Sequence, residues 1–124
     1  SLALSRVAFG KNLSELGGNY DRIAESRIDI ETSRLLTLNA AFRMDTVGNK
    51  IARSEIAQIK VYVPQAGMRV IDRAIQIHGA GGVSQDFPLA SMLSHMRTLR
   101  LADGPDEVHS RTVAREELGK YDLN

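Results

Sequence analysis

From about Tyr20 to Val47 the chain carries no Gly or Pro, and Ala24, Ile28, Leu35, Leu38 and Phe42 recur at steps of four, seven, three and four. That spacing keeps one side of a 3.6-residue helix apolar and predicts a helix whose stripe faces a core. Glu25, Arg27, Asp29 and Arg34 lie mostly off the stripe, where they would meet solvent or a partner. Gly17-Gly18-Asn19 before the segment and Gly48-Asn49 after it supply the breakers. A second segment, from about Asn49 to His78, sets Ile56, Ile59, Val63, Ala66, Val70, Ala74 and Ile77 at alternating steps of three and four. This is the most regular pattern in the chain and predicts a long, deeply packed helix. Pro64 falls inside it and removes one backbone donor, which predicts a kink without a break.

Gly79-Ala80-Gly81-Gly82 then ends the helix, because glycine takes the left-handed backbone of C-terminal caps without strain. A third helix is expected from near Asp86, with Pro88 in its first turn and Leu89, Met92, Met96 and Leu99 buried. Gly104-Pro105 punctuates the chain again, and a fourth helix follows with Asp106 and Glu107 at the positive end of its dipole. Ser1 to about Ala8 reads as the tail of a helix. No internal repeat, low-complexity tract or strand-like alternation competes with this pattern. The expected fold is therefore all-α, an antiparallel four-helix bundle forming one domain over residues 1–124.

Composition narrows the function classes. At 124 residues with 43% hydrophobic and 25% charged positions, the chain is a single globular domain and not a disordered one. Sixteen Lys and Arg against fifteen Asp and Glu give a formal charge of +1, which argues against a dedicated nucleic-acid binder. Having no Cys, it cannot form disulfides or thiolate metal sites; a cytosolic compartment is permitted but not established. No apolar run is long enough for a transmembrane segment. The opening at Ser1 without Met predicts a piece of a longer chain or a processed product. His78, His95 and His109 are far apart and share no ligand spacing, so no metal site is expected. The glycines at 79–82 follow a helix, with no βαβ unit around them, and by themselves read as a cap. Asp103 before Gly104-Pro105 by itself reads as a helix start, its carboxylate accepting orphan amides.

Taken in order, these pieces resemble the C-terminal domain of the acyl-CoA dehydrogenase family. Arg6-Val7-Ala8-Phe9-Gly10-Lys11 resembles the family's Arg-x-x-Phe-Gly, and Arg34 and Lys60 follow in the next two helices. Ala74-Ile75-Gln76-Ile77-His78-Gly79-Ala80-Gly81-Gly82 is similar to Ala-x-Gln-x-x-Gly-Gly-x-Gly. Phe87-Pro88, then Ala102-Asp103-Gly104-Pro105 at the family's Tyr-Glu-Gly-Thr, and Val113-Ala114-Arg115-Glu116 complete the series. The stretch from Leu101 to His109 looks nearest the branch containing acyl-CoA dehydrogenase family members 10 and 11 and bacterial relatives.

The resemblance implies an FAD-dependent enzyme that desaturates fatty acyl-CoA between the α and β carbons. It places the catalytic base on Asp103, whose own amide would serve the thioester oxygen, and sets Gly104 against the substrate. It assigns Arg6 to the flavin pyrophosphate, Phe9 to the adenosine end, and Gln76, Gly79 and Ala80 to the same cofactor. Pro105 and Glu107 stand where the family has Thr and Gln near the flavin. A cofactor shared between subunits implies a homo-oligomer, a dimer or tetramer, and an electron-transfer flavoprotein is an implied acceptor. Four positions depart from the pattern: Asp103 replaces Glu and is about 1.5 Å shorter, Pro105 replaces Thr, Ala80 replaces Gly, and Gly17 replaces a flavin-contacting Gln. Family members carry an N-terminal helical domain and a middle β domain, so these 124 residues alone are expected to fold but not to catalyse. The alternatives are a related flavin-dependent acyl-CoA oxidase and a non-catalytic helical oligomerisation module.

Overall fold

A computed structural model describes residues 7–8, 11–12 and 17–121. Two short strands, β1 (Val7–Ala8) and β2 (Lys11–Asn12), pair antiparallel with Val7 opposite Asn12. The expectation that Ser1 to about Ala8 forms a helix tail is thus corrected at Val7–Ala8, while residues 1–6 lie outside the described part. Four α-helices follow: α1 (Gly17–Val47), α2 (Arg53–His78), α3 (Leu89–Leu99) and α4 (Asp106–Gly119). A short 3₁₀ turn, η1 (Gly79–Val83), joins α2 to the loop before α3.

The helical ends follow local chemistry. Helix α1 starts earlier than expected, since Gly17-Gly18-Asn19 forms its first turn instead of a break. It stops at Gly48, whose φ of 83° is left-handed and whose N–H donates to the Met44 carbonyl. Helix α2 runs unbroken through Pro64, which is buried among its neighbours, and ends at Gly79 with φ 66°. Helix α3 begins after Pro88, which serves as its cap residue, three positions later than Asp86.

All packing centres on α2. Helix α1 lies antiparallel to it, as the pairs Arg73–Asp29 and Arg43–Glu55 show. Helices α3 and α4 succeed one another along the same neighbour, both antiparallel to it. Arg100 at the end of α3 reaches Met68, Gln65 reaches Asp106 at the start of α4, and Arg53 reaches Glu116 near its end. The joint between α3 and α4 therefore sits opposite the middle of α2.

Burial differs from the sequence expectation in three places. In α1 the covered line is Ser26, Asp29, Ser33, Leu36, Ala40, Arg43 and Val47, at alternating steps of three and four. The expected stripe runs down the opposite side: Ile28, Leu35 and Phe42 are 63%, 58% and 65% exposed. The reason is chemical. Small residues let α1 approach α2 closely, and Asp29 must enter that contact to meet Arg69 and Arg73. In α2 the buried residues are Ala57, Pro64, Ala66 and Ile71; of the seven expected, only Ala66 is buried and the rest are half-buried. In α3 no residue is buried and Met92 is exposed, because among the described residues this short helix is covered mainly by α2 and η1.

Candidate functional site

Helix α3 ends in a succession of turns. The N–H groups of Leu101 and Ala102 both donate to the Thr98 carbonyl, and the Asp106 N–H reaches back 3.1 Å to the Arg100 carbonyl. Between these bonds Asp103 adopts φ 55°, the only non-glycine residue with positive φ among the described residues. A side chain in the left-handed region costs about 1–2 kcal/mol. Gly104 follows at φ 100°, and a Cβ there would lie 3.1 Å from His109 Nε2. That ring nitrogen lies 3.2 Å from the Asp103 carbonyl oxygen, which can only accept, so the imidazole donates.

Asp103 itself is exposed, and among the described residues neither its carboxylate nor its N–H is held by a hydrogen bond. The expectation that this carboxylate caps the fourth helix is corrected: Pro105 is the cap residue, extended at ψ 166°, with no side-chain cap bond. Asp106 and Glu107 do occupy the first turn of α4. Pro105 is half-buried and Glu107 exposed.

A clasp closes the turn beneath Asp103. Arg100 Nε donates to Asp106 Oδ2 at 2.7 Å, and Gln65 Nε2 on α2 donates to the same oxygen at 3.3 Å. The Asp106 side chain is only 14% exposed, and its Oδ1 is buried with no partner. Sequence reasoning missed Arg100, Gln65 and His109. Arg100 and Asp106 are six apart, not a helical spacing, and only the turn brings them together.

The glycine corner lies at the other end of α3. Gln76, Gly79 and Ala80 are exposed there, and His78 packs edge-on against Phe87 with ring centroids 4.8 Å apart. His78 Nδ1 donates to the Ala74 carbonyl at 2.8 Å. Eleven residues of α3 separate this corner from the Asp103 turn, a rise of about 16 Å. The structure therefore brings Asp103, Gly104, Pro105 and Glu107 together in one group and Gln76, Gly79 and Ala80 in another. Arg6 and Phe9 lie outside the described residues. No helix of the described residues is long and apolar enough to cross a membrane.

A third polar cluster ties α1 to α2. Asp29 accepts from Arg69 at 3.2 and 3.0 Å and from Arg73 at 2.6 Å, and Glu25 adds a longer contact to Arg73. The Arg69 hydrogen bonds hold the Asp29 carboxyl below the usual carboxylate range, against the opposing effect of burial, with Arg73 assisting. Asp29 in turn raises the Arg69 guanidinium. Asp29 was expected to face solvent or a partner; instead it is 8% exposed.

With this geometry in hand, comparison with known proteins gives the class. The family described as "Acyl-CoA dehydrogenase, C-terminal domain" matches residues 1–118, and the chain belongs to that family. Acyl-CoA dehydrogenase family member 11 of Gallus gallus is 57% identical over 116 residues, covering 94% of this chain and 15% of that protein. A solved candidate acyl-CoA dehydrogenase from Mycobacterium abscessus superposes with a TM-score of 0.93 at 57% identity, over 97% of this chain and 30% of that one. An FAD complex of PigA superposes with a TM-score of 0.87 at 25% identity, over 98% and 31% of the two chains. The chain thus spans well under half the length of the relatives it matches.

Proposed function

We propose that this chain supplies the proton-abstracting base and part of the cofactor cradle of an enzyme that desaturates acyl-CoA thioesters between the α and β carbons. The observation that carries the reading is Asp103. Its carboxylate and its amide both stand free of internal hydrogen bonds on one strained turn, at the family's Glu position. A residue held in a costly conformation with two unused polar groups is disposed to engage something outside its own fold. In this reading the carboxylate takes the α-proton, while the Asp103 N–H donates to the thioester oxygen as enolate charge gathers there. Gly104 leaves the approach open, and closing the site over the carboxylate would exclude water from the transfer.

The exposed residues around the end of α2 fit an FAD. Gly79 and Ala80 offer backbone with little side-chain bulk, and Gln76 offers an amide on the same corner. When bound, the flavin would supply the acceptor for the hydride leaving the β carbon. Pro105 and Glu107 would border it beside Asp103, and Arg6 and Phe9 would complete the far end. The separation of the two groups along α3 supports a cofactor shared between copies of the chain, each copy serving a different end. This makes a dimer or tetramer the working assembly, with acyl-CoA as substrate and an electron-transfer flavoprotein as acceptor. The acyl pocket is built by other parts of the longer relatives, so these residues alone are inactive.

The test uses the full-length, flavin-loaded protein. Acyl-CoA is expected to bleach the flavin absorbance, and Asp103→Asn to slow that bleaching by at least a hundredfold while flavin stays bound. Unchanged bleaching in Asp103→Asn would remove the base assignment. Rapid oxygen consumption without an added acceptor would instead assign an oxidase.

A further inference from the structure

We infer that the Arg100–Asp106 ion pair is a positioning clasp that holds the Asp103 turn in its left-handed conformation and so sets the reach of the base. The inference rests on the reading of Asp103 given above. Two bonds span the turn, the guanidinium to the carboxylate at 2.7 Å and the Asp106 N–H to the Arg100 carbonyl at 3.1 Å, and a third, from the Gln65 amide to the same carboxylate at 3.3 Å, ties its end to α2. Together they anchor the two ends of a loop whose middle is strained. His109 fixes the middle through the Asp103 carbonyl.

The charges are placed for this role. Asp106 is mostly covered and already satisfies one carboxylate oxygen through Arg100, and Gln65 ties that oxygen to the rigid centre of the fold on α2. Asp106 is too covered to meet an acyl thioester directly, and the Nε of Arg100 is committed to it. A short base makes the requirement stricter, because an aspartate has one bond less with which to correct a misplaced backbone, and misplacement by about 1 Å costs on the order of a hundredfold in rate.

The experiment compares variants of the full-length, flavin-loaded protein on saturated acyl-CoA thioesters with a dye as electron acceptor. Arg100→Met is expected to lower kcat at least tenfold with KM and flavin content within twofold of the parent. Arg100→Lys, whose ammonium still reaches the carboxylate, is expected to recover most of that loss. Hydrogen exchange at the amides of residues 101–106 is expected to be at least tenfold faster in Arg100→Met. If Arg100→Met does not assemble with flavin, Asp106→Asn weakens the same bond more gently and is expected to show the same split at smaller size. In whichever of the two variants assembles with flavin, a kcat within twofold of the parent, or a loss of kcat that only tracks a loss of flavin, overturns the clasp. Unchanged turnover in Asp103→Asn overturns the base reading instead, and the exchange measurement still separates the two failures.

Discussion

Gly67 and Gly82 both lack room for a methyl group, for different reasons. A Cβ at Gly67 would run into the terminal methyl of Met96, the far end of a flexible side chain that can swing aside. A Cβ at Gly82 would lie 2.6 Å from the Ile75 carbonyl oxygen and 2.8 Å from its Cα, where only backbone could yield. Gly67→Ala is therefore expected to change stability by less than about 1 kcal/mol, since helix propensity offsets the repacking. Gly82→Ala is expected to cost roughly 1–3 kcal/mol. Chemical denaturation of the two variants checks this, and equal effects would contradict the distinction.

Asp29 gives a second residue-scale outcome. Its depressed folded pKa means that the carboxylate contributes stability above its unfolded value, about 3.9. That contribution disappears as pH falls from about 4 through the folded pKa. Asp29→Ala is expected to cost about 2–3 kcal/mol at neutral pH, because it leaves two guanidiniums facing one another in a mostly covered contact. The variant's penalty should shrink in acid. A penalty independent of pH between about 2 and 7 would show that the ion pair is not its source.

At the scale of elements, the order of helices and the glycine ends were legible in the sequence because they rest on local chemistry: the period of apolar residues, and backbone that only glycine tolerates. The packed side of α1 was not. The helix carries two lines of helical spacing on opposite sides, one wholly apolar and one that mixes small and polar residues with Leu36 and Val47, and periodicity alone favours the first. Only knowing that Arg69 and Arg73 project from α2 reveals why Asp29 turns inward. Within the candidate site, Asp103-Gly104-Pro105 was legible as a motif, whereas the Arg100–Asp106 clasp needed a turn that no linear spacing announces.

For the molecule as a whole, the core is thin. The buried apolar residues are Ala40, Ala52, Ala57, Pro64, Ala66 and Ile71, and no large side chain is fully buried among the described residues. Ile28, Leu35, Leu38 and Phe42 leave an apolar stripe exposed along α1, and such surface marks contact with other protein. The 124-residue chain by itself is expected to bind a hydrophobic dye and to sediment as concentration-dependent oligomers. Leu38→Glu, on the open side of α1, should weaken both properties without loss of helicity. A dye-silent monomer at all concentrations would contradict this.

The backbone at Asp103 has a consequence for how variants of this protein would fare under selection. Glycine relaxes more comfortably into a left-handed turn, so a screen for heat resistance alone would enrich Asp103→Gly. That variant would yield a sturdier joint and, with the base removed, a silent one. Durability and turnover pull this single codon in opposite directions.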